Sequence, residues 1–300
     1  MFQSGVFCAT RQTLTERCKT QFCFLNLAQQ SFCDIFDTGF RAHHRPDMTG
    51  PMDTLSFARP ALGPDATARA AADFARTGHV RAPGVLPMAE AEALHGWLTG
   101  DAPFVRVLNQ ADKVWDLDAQ ALASLGTERS AALTQAVHAQ ARDGFQYIYD
   151  ALRVSDDPAT RMARALPVDR LVAAFNTRPW LDLFRTLTGE PAIRMVDGQA
   201  TRYLPGHFLT GHDDDVAGKD RVAAYVLNLT PHWRTEWGGL LLFHDAPITG
   251  GVPGPDDVTF GLSPRFNALH LFKVPQRHSV SLVAPFAGAP RLAITGWLRR

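Results

Sequence analysis

The order of patterns along the 300 residues predicts an α+β protein, in which N-terminal helices buttress a jelly-roll or sandwich core of short strands. Three observations carry this reading. Apolar residues recur at helical spacing in several stretches between Asp65 and Leu187. After Gly189, short apolar stretches alternate with Gly, Pro, Asp and Asn, as in sandwiches and jelly rolls. The hydrophobic content of 46% is ample for one large domain, and no linker-like stretch divides residues 53–300.

The Ala-rich run from Asp65 follows Pro64 and stops at Gly78, which predicts a first helix. His79-Val-Arg-Ala-Pro-Gly-Val-Leu reads as a short strand and turn, and Met88 to Leu98 as a second helix. Leu133, Val137, Phe145, Ile148 and Leu152 have partly helical spacing, so a long helix is expected from Thr127 to about Leu152. Another covers Asp169 to Leu187, with Pro179 starting a new turn inside it. Strands are expected at Ala192–Val196, Ala200–Leu204, Ala223–Leu229, Leu240–Phe243, Ala268–Val274, Ser279–Val283 and Leu292–Trp297. The Gly- and Pro-rich stretch Ala246–Pro264 reads as a loop.

Thirty basic and thirty acidic side chains cancel. A sequence-independent nucleic-acid binder would show a basic excess, so no nucleic-acid partner is expected. No apolar run approaches the roughly 20 residues of a membrane span, and no membrane association is expected. The four cysteines, Cys8, Cys18, Cys23 and Cys33, all precede residue 34. The body therefore cannot be disulfide-stapled, which suits a cytoplasmic protein. The apolar block in the first thirty residues is short and broken by Gln29 and Gln30, unlike a secretory signal. Residues 1–52 are expected to be a disordered tail or to follow from a start codon placed too far upstream, since Met48 and Met52 precede the composition shift. Residues 53–300 are read as one domain, 53–189 mainly helical support and 190–300 the core that carries the site. Oligomeric state is not legible.

The chemistry lies in His212-Asp213-Asp214, with His278 and Arg291 further along. Two imidazoles and one carboxylate can occupy one face of an iron(II) ion and leave positions open for chemistry. An Arg can hold the far carboxylate of an anionic co-substrate in a two-pronged pair. On a strand, residues two apart face the same way, so alternation selects Asp214 over Asp213 and Asp215. Each residue also has a plain reading: H-x-D recurs by coincidence in solvated loops, His278 opens an apolar strand, and Arg291 could be a surface charge. The order His, Asp, His, Arg, each at or beside an expected strand, favours the site. Two of the four tyrosines, Tyr203 and Tyr225, flank the motif. A phenol can donate to a bound carboxylate, although either ring could equally be a core aromatic. His207 and His244 lack the motif spacing, His232 and Trp233 read as loop residues, and Gly218-Lys219 lacks the other elements of a phosphate loop.

Tyr203-Leu-Pro-Gly-His-Phe-Leu-Thr-Gly-His212-Asp-Asp214, Arg221-Val-Ala-Ala-Tyr225, Trp237-Gly-Gly-Leu-Leu-Leu-Phe, Asn267-Ala-Leu-His-Leu-Phe, His278-Ser-Val and Arg291-Leu-Ala-Ile-Thr-Gly-Trp297 together resemble the iron(II)- and 2-oxoglutarate-dependent oxygenases. Within them the chain looks most like the prolyl-hydroxylase branch, including the group that acts on a ribosomal-protein proline. The resemblance is close over about 190–300, general over 53–189 and absent over 1–51. It implies a double-stranded β-helix, with His212, Asp214 and His278 as Fe(II) ligands. It implies that Arg291 binds 2-oxoglutarate, assisted by Tyr203 or Tyr225, and that Trp237-Gly238-Gly239 and Asn267 shape turns. It further implies O2 as oxidant, ascorbate as a support of activity, and succinate and CO2 as co-products. The implied substrate is a prolyl residue in a protein or peptide. The alternatives are a small molecule or free amino acid, a zinc hydrolase on a similar barrel, and a non-catalytic jelly-roll metal-binding module.

Overall fold

The computed structural model describes residues 55–110, 113–245, 248–249, 252–253 and 257–300. The expectations for 1–52, the cysteines included, lie outside them; within the expected loop Ala246–Pro264, residues Val258–Leu262 form a strand instead. The helices are α1 (Pro64–Thr77), α2 (Met88–Gly100), α3 (Ala119–Gln140), α4 (Pro158–Arg164), α5 (Pro167–Phe175) and α6 (Arg178–Thr188). The strands of the first half are β1 (His79–Pro83), β2 (Val105–Gln110), β3 (Lys113–Leu117) and β4 (Tyr147–Arg153). Those of the second half are β5 (Met195–Val196), β6 (Gln199–Tyr203), β7 (Phe208–His212), β8 (Arg221–Asn228), β9 (Leu241–His244), β10 (Ile248–Thr249), β11 (Val252–Pro253), β12 (Val258–Leu262), β13 (Ala268–Lys273), β14 (His278–Val280) and β15 (Arg291–Arg299).

Local chemistry accounts for most boundaries. Pro64 opens α1, where its missing N–H costs nothing, and Gly78 ends it at φ 77°. The helix expected over Asp169–Leu187 is two, α5 and α6, parted at Asn176 and Thr177, with Pro179 in the first turn of the second. The helix expected over Thr127–Leu152 is a correction. Helix α3 starts earlier, at Ala119, where the Asp118 carboxylate accepts from the Ala121 amide, and it ends at Gln140. Residues 147–153 form strand β4 instead. Phe145-Gln-Tyr147-Ile-Tyr149 alternates with period two and is rich in β-favouring aromatics, a signal that outweighs the chance helical spacing of Ile148 and Leu152.

The strands pair antiparallel in the order β1-β13-β8-β15-β6-β4-β7-β14-β9-β12. Strand β4 changes partner along its length: Asp150–Arg153 pair with β6, while Tyr147 and Ile148 pair with β7. The path folds over at this point into two facing layers. Their inner faces meet in a cluster of Ala224, Val226, Phe272 and Ala293 from one layer with Leu241, Phe243 and Phe260 from the other. The two ends of the path come together where the His79 ring lies 4.4 Å from Phe260. This curled two-layer sheet is a double-stranded β-helix.

The outer face of β8, β13 and β15 carries the larger core. Leu227, Leu269, Leu271, Leu292 and Ile294 are fully buried against Phe74, Leu94, Leu171, Phe175, Trp180 and Phe184 of the helices. Each such burial contributes about 1.5–3 kcal/mol, which anchors the layer that bears Arg291. At Gly238, with φ 68°, a Cβ would collide with the Leu282 carbonyl oxygen, so the turn after Trp237 requires glycine. Asn267, at φ 55°, braces its turn by bonding both the amide and the carbonyl of Leu86.

Candidate metal centre

His212 closes β7 and His278 opens β14, and the two stand directly opposite each other in the antiparallel ladder. Their ring centroids are 4.1 Å apart. Asp214 lies beyond the end of β7, with φ 64°, so the strand alternation that selected it does not apply. A left-handed turn swings its carboxylate back toward both imidazoles. Its Oδ1 is 3.5 Å from His212 Nε2 and its Oδ2 is 3.4 Å from His278 Nε2. Asp tolerates this backbone better than most residues.

The tautomers follow from the second nitrogen of each ring. His212 Nδ1 faces the Thr210 carbonyl at 3.1 Å, and His278 Nδ1 faces the Gln276 carbonyl at 2.8 Å. A carbonyl only accepts, so each Nδ1 donates and each neutral imidazole turns its Nε2 lone pair toward Asp214. Burial lowers the His278 pKa to about 3, which keeps that ring neutral. Burial pushes the Asp214 carboxyl upward, and a protonated imidazole beside it would draw it down. Three electron-pair donors thus converge within 4.8 Å of one another. Such a set is repulsive by itself and fits a divalent cation held on one face.

From these groups a cavity of about 380 Å³ runs inward, past Leu209, Val226, Leu241 and Val280, to Arg291 and Tyr203. Arg291 opens β15 opposite Tyr203 on β6, and its guanidinium lies 5.1 Å over that ring. It is 2% exposed, its Nε has no hydrogen-bond partner, and among the described residues it forms no ion pair. Burial lowers its pKa, with only Tyr203 opposing. An unpaired buried cation is costly and fits an anionic group at this end of the cavity.

Tyr225 borders the cavity, but its ring turns away from it. Its neighbours Ala224 and Val226 face the inner layer, while its ring packs outward between Phe175 and Phe184. Its hydroxyl donates to the Asp197 carbonyl at 2.9 Å, over Gly198, where a Cβ would leave no room. Of the two tyrosines flanking the motif, only Tyr203 reaches Arg291. Tyr225→Phe should therefore lower stability by about 0.5–1.5 kcal/mol, the value of one buried hydrogen bond, in a denaturant titration. It should leave 2-oxoglutarate affinity unchanged; a loss of affinity at unchanged stability would contradict this placement.

Two further tyrosines line the cavity, Tyr147 and Tyr149 of β4. Tyr149 stacks on Tyr203 at 5.1 Å, Tyr147 on Tyr149 at 5.6 Å, and half-exposed Phe145 stands 5.9 Å from His212 at the mouth. The period-two stripe Phe145, Tyr147, Tyr149 was the signal that could have found them. His207 is buried beside Arg106, Asp150 and Arg202, His244 bonds Ser279, and Trp233 closes its loop by donating to the Gly238 carbonyl.

A double-stranded β-helix that gathers two imidazoles and a carboxylate at one end of a cavity, and a buried arginine at the other, fits a metal ion and an anionic ligand. Residues 198–299, which span β6 to β15, match the model of the 2OG-Fe(II) oxygenase superfamily, so this segment is similar to those oxygenases. The chain is 31% identical over 145 residues to the prolyl 3-hydroxylase OGFOD1 of Mus musculus, and in this sense is prolyl hydroxylase-like. That match covers 48% of this chain and 25% of the relative, so the chain spans only about a quarter of the length of the relative it matches. Among solved structures, a prolyl-4-hydroxylase of Pseudomonas putida is similar at 18% identity and a TM-score of 0.43, covering 78% of this chain and 99% of the other. The non-heme alpha-ketoglutarate-dependent epimerase SnoN, from nogalamycin biosynthesis, is similar at 16% identity and a TM-score of 0.47, covering 79% and 84%. Among the described residues no helix is long and apolar enough to cross a membrane.

Proposed function

We propose that residues 53–300 form a single iron(II)- and 2-oxoglutarate-dependent dioxygenase domain that hydroxylates a C–H bond, with a prolyl residue of a protein or peptide as substrate. The single observation that carries this reading is the pairing of two ends in one cavity: three converging electron-pair donors at the mouth and an unpaired buried guanidinium at the base. In it, His212, Asp214 and His278 hold Fe(II), and Arg291 with Tyr203 holds the distal carboxylate of 2-oxoglutarate. Bound iron supplies the redox chemistry by which O2 and 2-oxoglutarate yield succinate, CO2 and an oxygen atom for the substrate.

The protein's own part is positional. Arg291 anchors the co-substrate in two-pronged fashion, and Tyr203 is a neutral donor, its pKa raised by burial. Leu209, Val226, Leu241 and Val280 exclude water from the space between. Phe145 and Val216, both about half exposed, give the mouth an apolar rim against which a pyrrolidine ring can lie. The prolyl substrate is supported by the name of the mouse relative. A cysteine-free body after residue 33 supports a cytoplasmic location.

The test is turnover by the purified protein with Fe(II), ascorbate, O2 and 2-oxoglutarate. Succinate should form, chelation of the metal should stop it, and proline-containing peptides should accelerate it and gain one oxygen atom. Succinate without any peptide dependence, but stimulated by free amino acids or other metabolites, would favour the small-molecule reading. Metal binding with no succinate would favour the non-catalytic module.

A further inference from the structure

Asp214 is the one member of the triad that no strand holds. It follows the last residue of β7, at a left-handed φ of 64° that non-glycine residues adopt only when their surroundings enforce it. Two residues converge on it. Arg221, the first residue of β8, donates from an Nη to the Asp214 carbonyl oxygen at 2.9 Å. The same guanidinium lies 3.6 Å over the indole of Trp297. Trp297 is on β15 opposite Ala224 of β8, its amide bonds the Asp197 carboxylate at 2.8 Å, and so its position is fixed by the sheet. The indole therefore acts on Asp214 through the Arg221 guanidinium that it faces.

We propose that Arg221 and Trp297 are positioning residues for the metal site, a guanidinium–indole clamp that holds Asp214 in the left-handed conformation that turns its carboxylate onto His212 and His278. Arg221 grips the backbone of Asp214 and Trp297 steadies Arg221, so the rigid β8–β15 pair imposes geometry on a loop residue. A lysine at 221 can supply the charge but neither the flat stacking face nor the forked donor set. The inference rests on the reading of His212, Asp214 and His278 as metal ligands.

The experiment is equilibrium binding of Co(II) to the full-length apoprotein without 2-oxoglutarate, for wild type, Arg221→Ala, Arg221→Lys and Trp297→Phe. The visible Co(II) spectrum and the apoprotein thermal midpoint are recorded alongside. Trp297→Phe shrinks the aromatic face on which Arg221 lies and keeps the position apolar, so it tests the clamp if Arg221→Ala fails to fold. The affinity of Arg221→Ala and Arg221→Lys should fall by about 10–100-fold, the range for residues that orient a ligand, and that of Trp297→Phe in the same direction by less. The Co(II) spectrum should shift while the apoprotein midpoints stay near wild type, a separation that general destabilisation would not produce. Wild-type affinity and an unchanged spectrum in the folded variants overturn the clamp and leave the metal site standing. No Co(II) binding by wild type overturns both.

Discussion

His212→Ala should abolish succinate formation and weaken metal binding by more than about 100-fold, beyond the range seen when only an orienting residue is lost. The imidazole is held by the Thr210 carbonyl on one side and offers a bare lone pair on the other, directly across the ladder from His278. The other nearby imidazoles are engaged elsewhere: His207 is buried beside Arg106, Asp150 and Arg202, and His244 bonds Ser279. The apoprotein should lose little stability, because the change relieves crowding among three electron-pair donors. Metal titration and a thermal midpoint measured on the same sample separate the two effects. Equal succinate from wild type and His212→Ala would remove the metal assignment altogether.

Arg291→Leu should raise the KM for 2-oxoglutarate by about 10–100-fold, the equivalent of the roughly 1.5–3 kcal/mol carried by hydrogen bonds to a charged group. The same substitution should leave the free protein as stable as wild type or more so. In the absence of a carboxylate, Arg291 is a buried cation with an unsatisfied Nε, and an apolar side chain of similar reach removes that cost. Weakened co-substrate binding combined with an unchanged or higher thermal midpoint marks a residue kept for a ligand rather than for the fold. The opposite pattern, a destabilised protein with wild-type affinity for 2-oxoglutarate, would make Arg291 a structural residue and take away the main support for an anionic co-substrate.

Local chemistry carried much of the fold into view. Pro64 and Gly78 bracket α1, and Pro179 marks the restart of the chain at α6, because proline and glycine act through their own backbone. The strands after Gly189 were visible as separate apolar stretches, all but β7, β12 and the short β10 and β11. The first-half strands β2, β3 and β4 were not. Ile148 and Leu152 satisfy helical spacing by coincidence and mask the period-two pattern of Phe145, Tyr147 and Tyr149, which pairing with β2, β6 and β7 makes extended.

By itself the sequence determined the kinds of groups available and their order: His212, Asp214, His278 and Arg291, with aromatic side chains nearby, and helices before strands. Those features are properties of individual residues and of local periodicity. The tertiary structure decided which groups meet. It set His278 against His212 across the ladder, turned Asp214 inward through a left-handed backbone instead of strand alternation, and brought Tyr203 to Arg291. It sent Tyr225 to the helix-covered face and drew Tyr147 and Tyr149 into the cavity. The physical reason is register: periodicity along one strand tells which side chains share a face, but which face becomes the interior, and which partner lies opposite, depends on contacts between residues far apart in the chain.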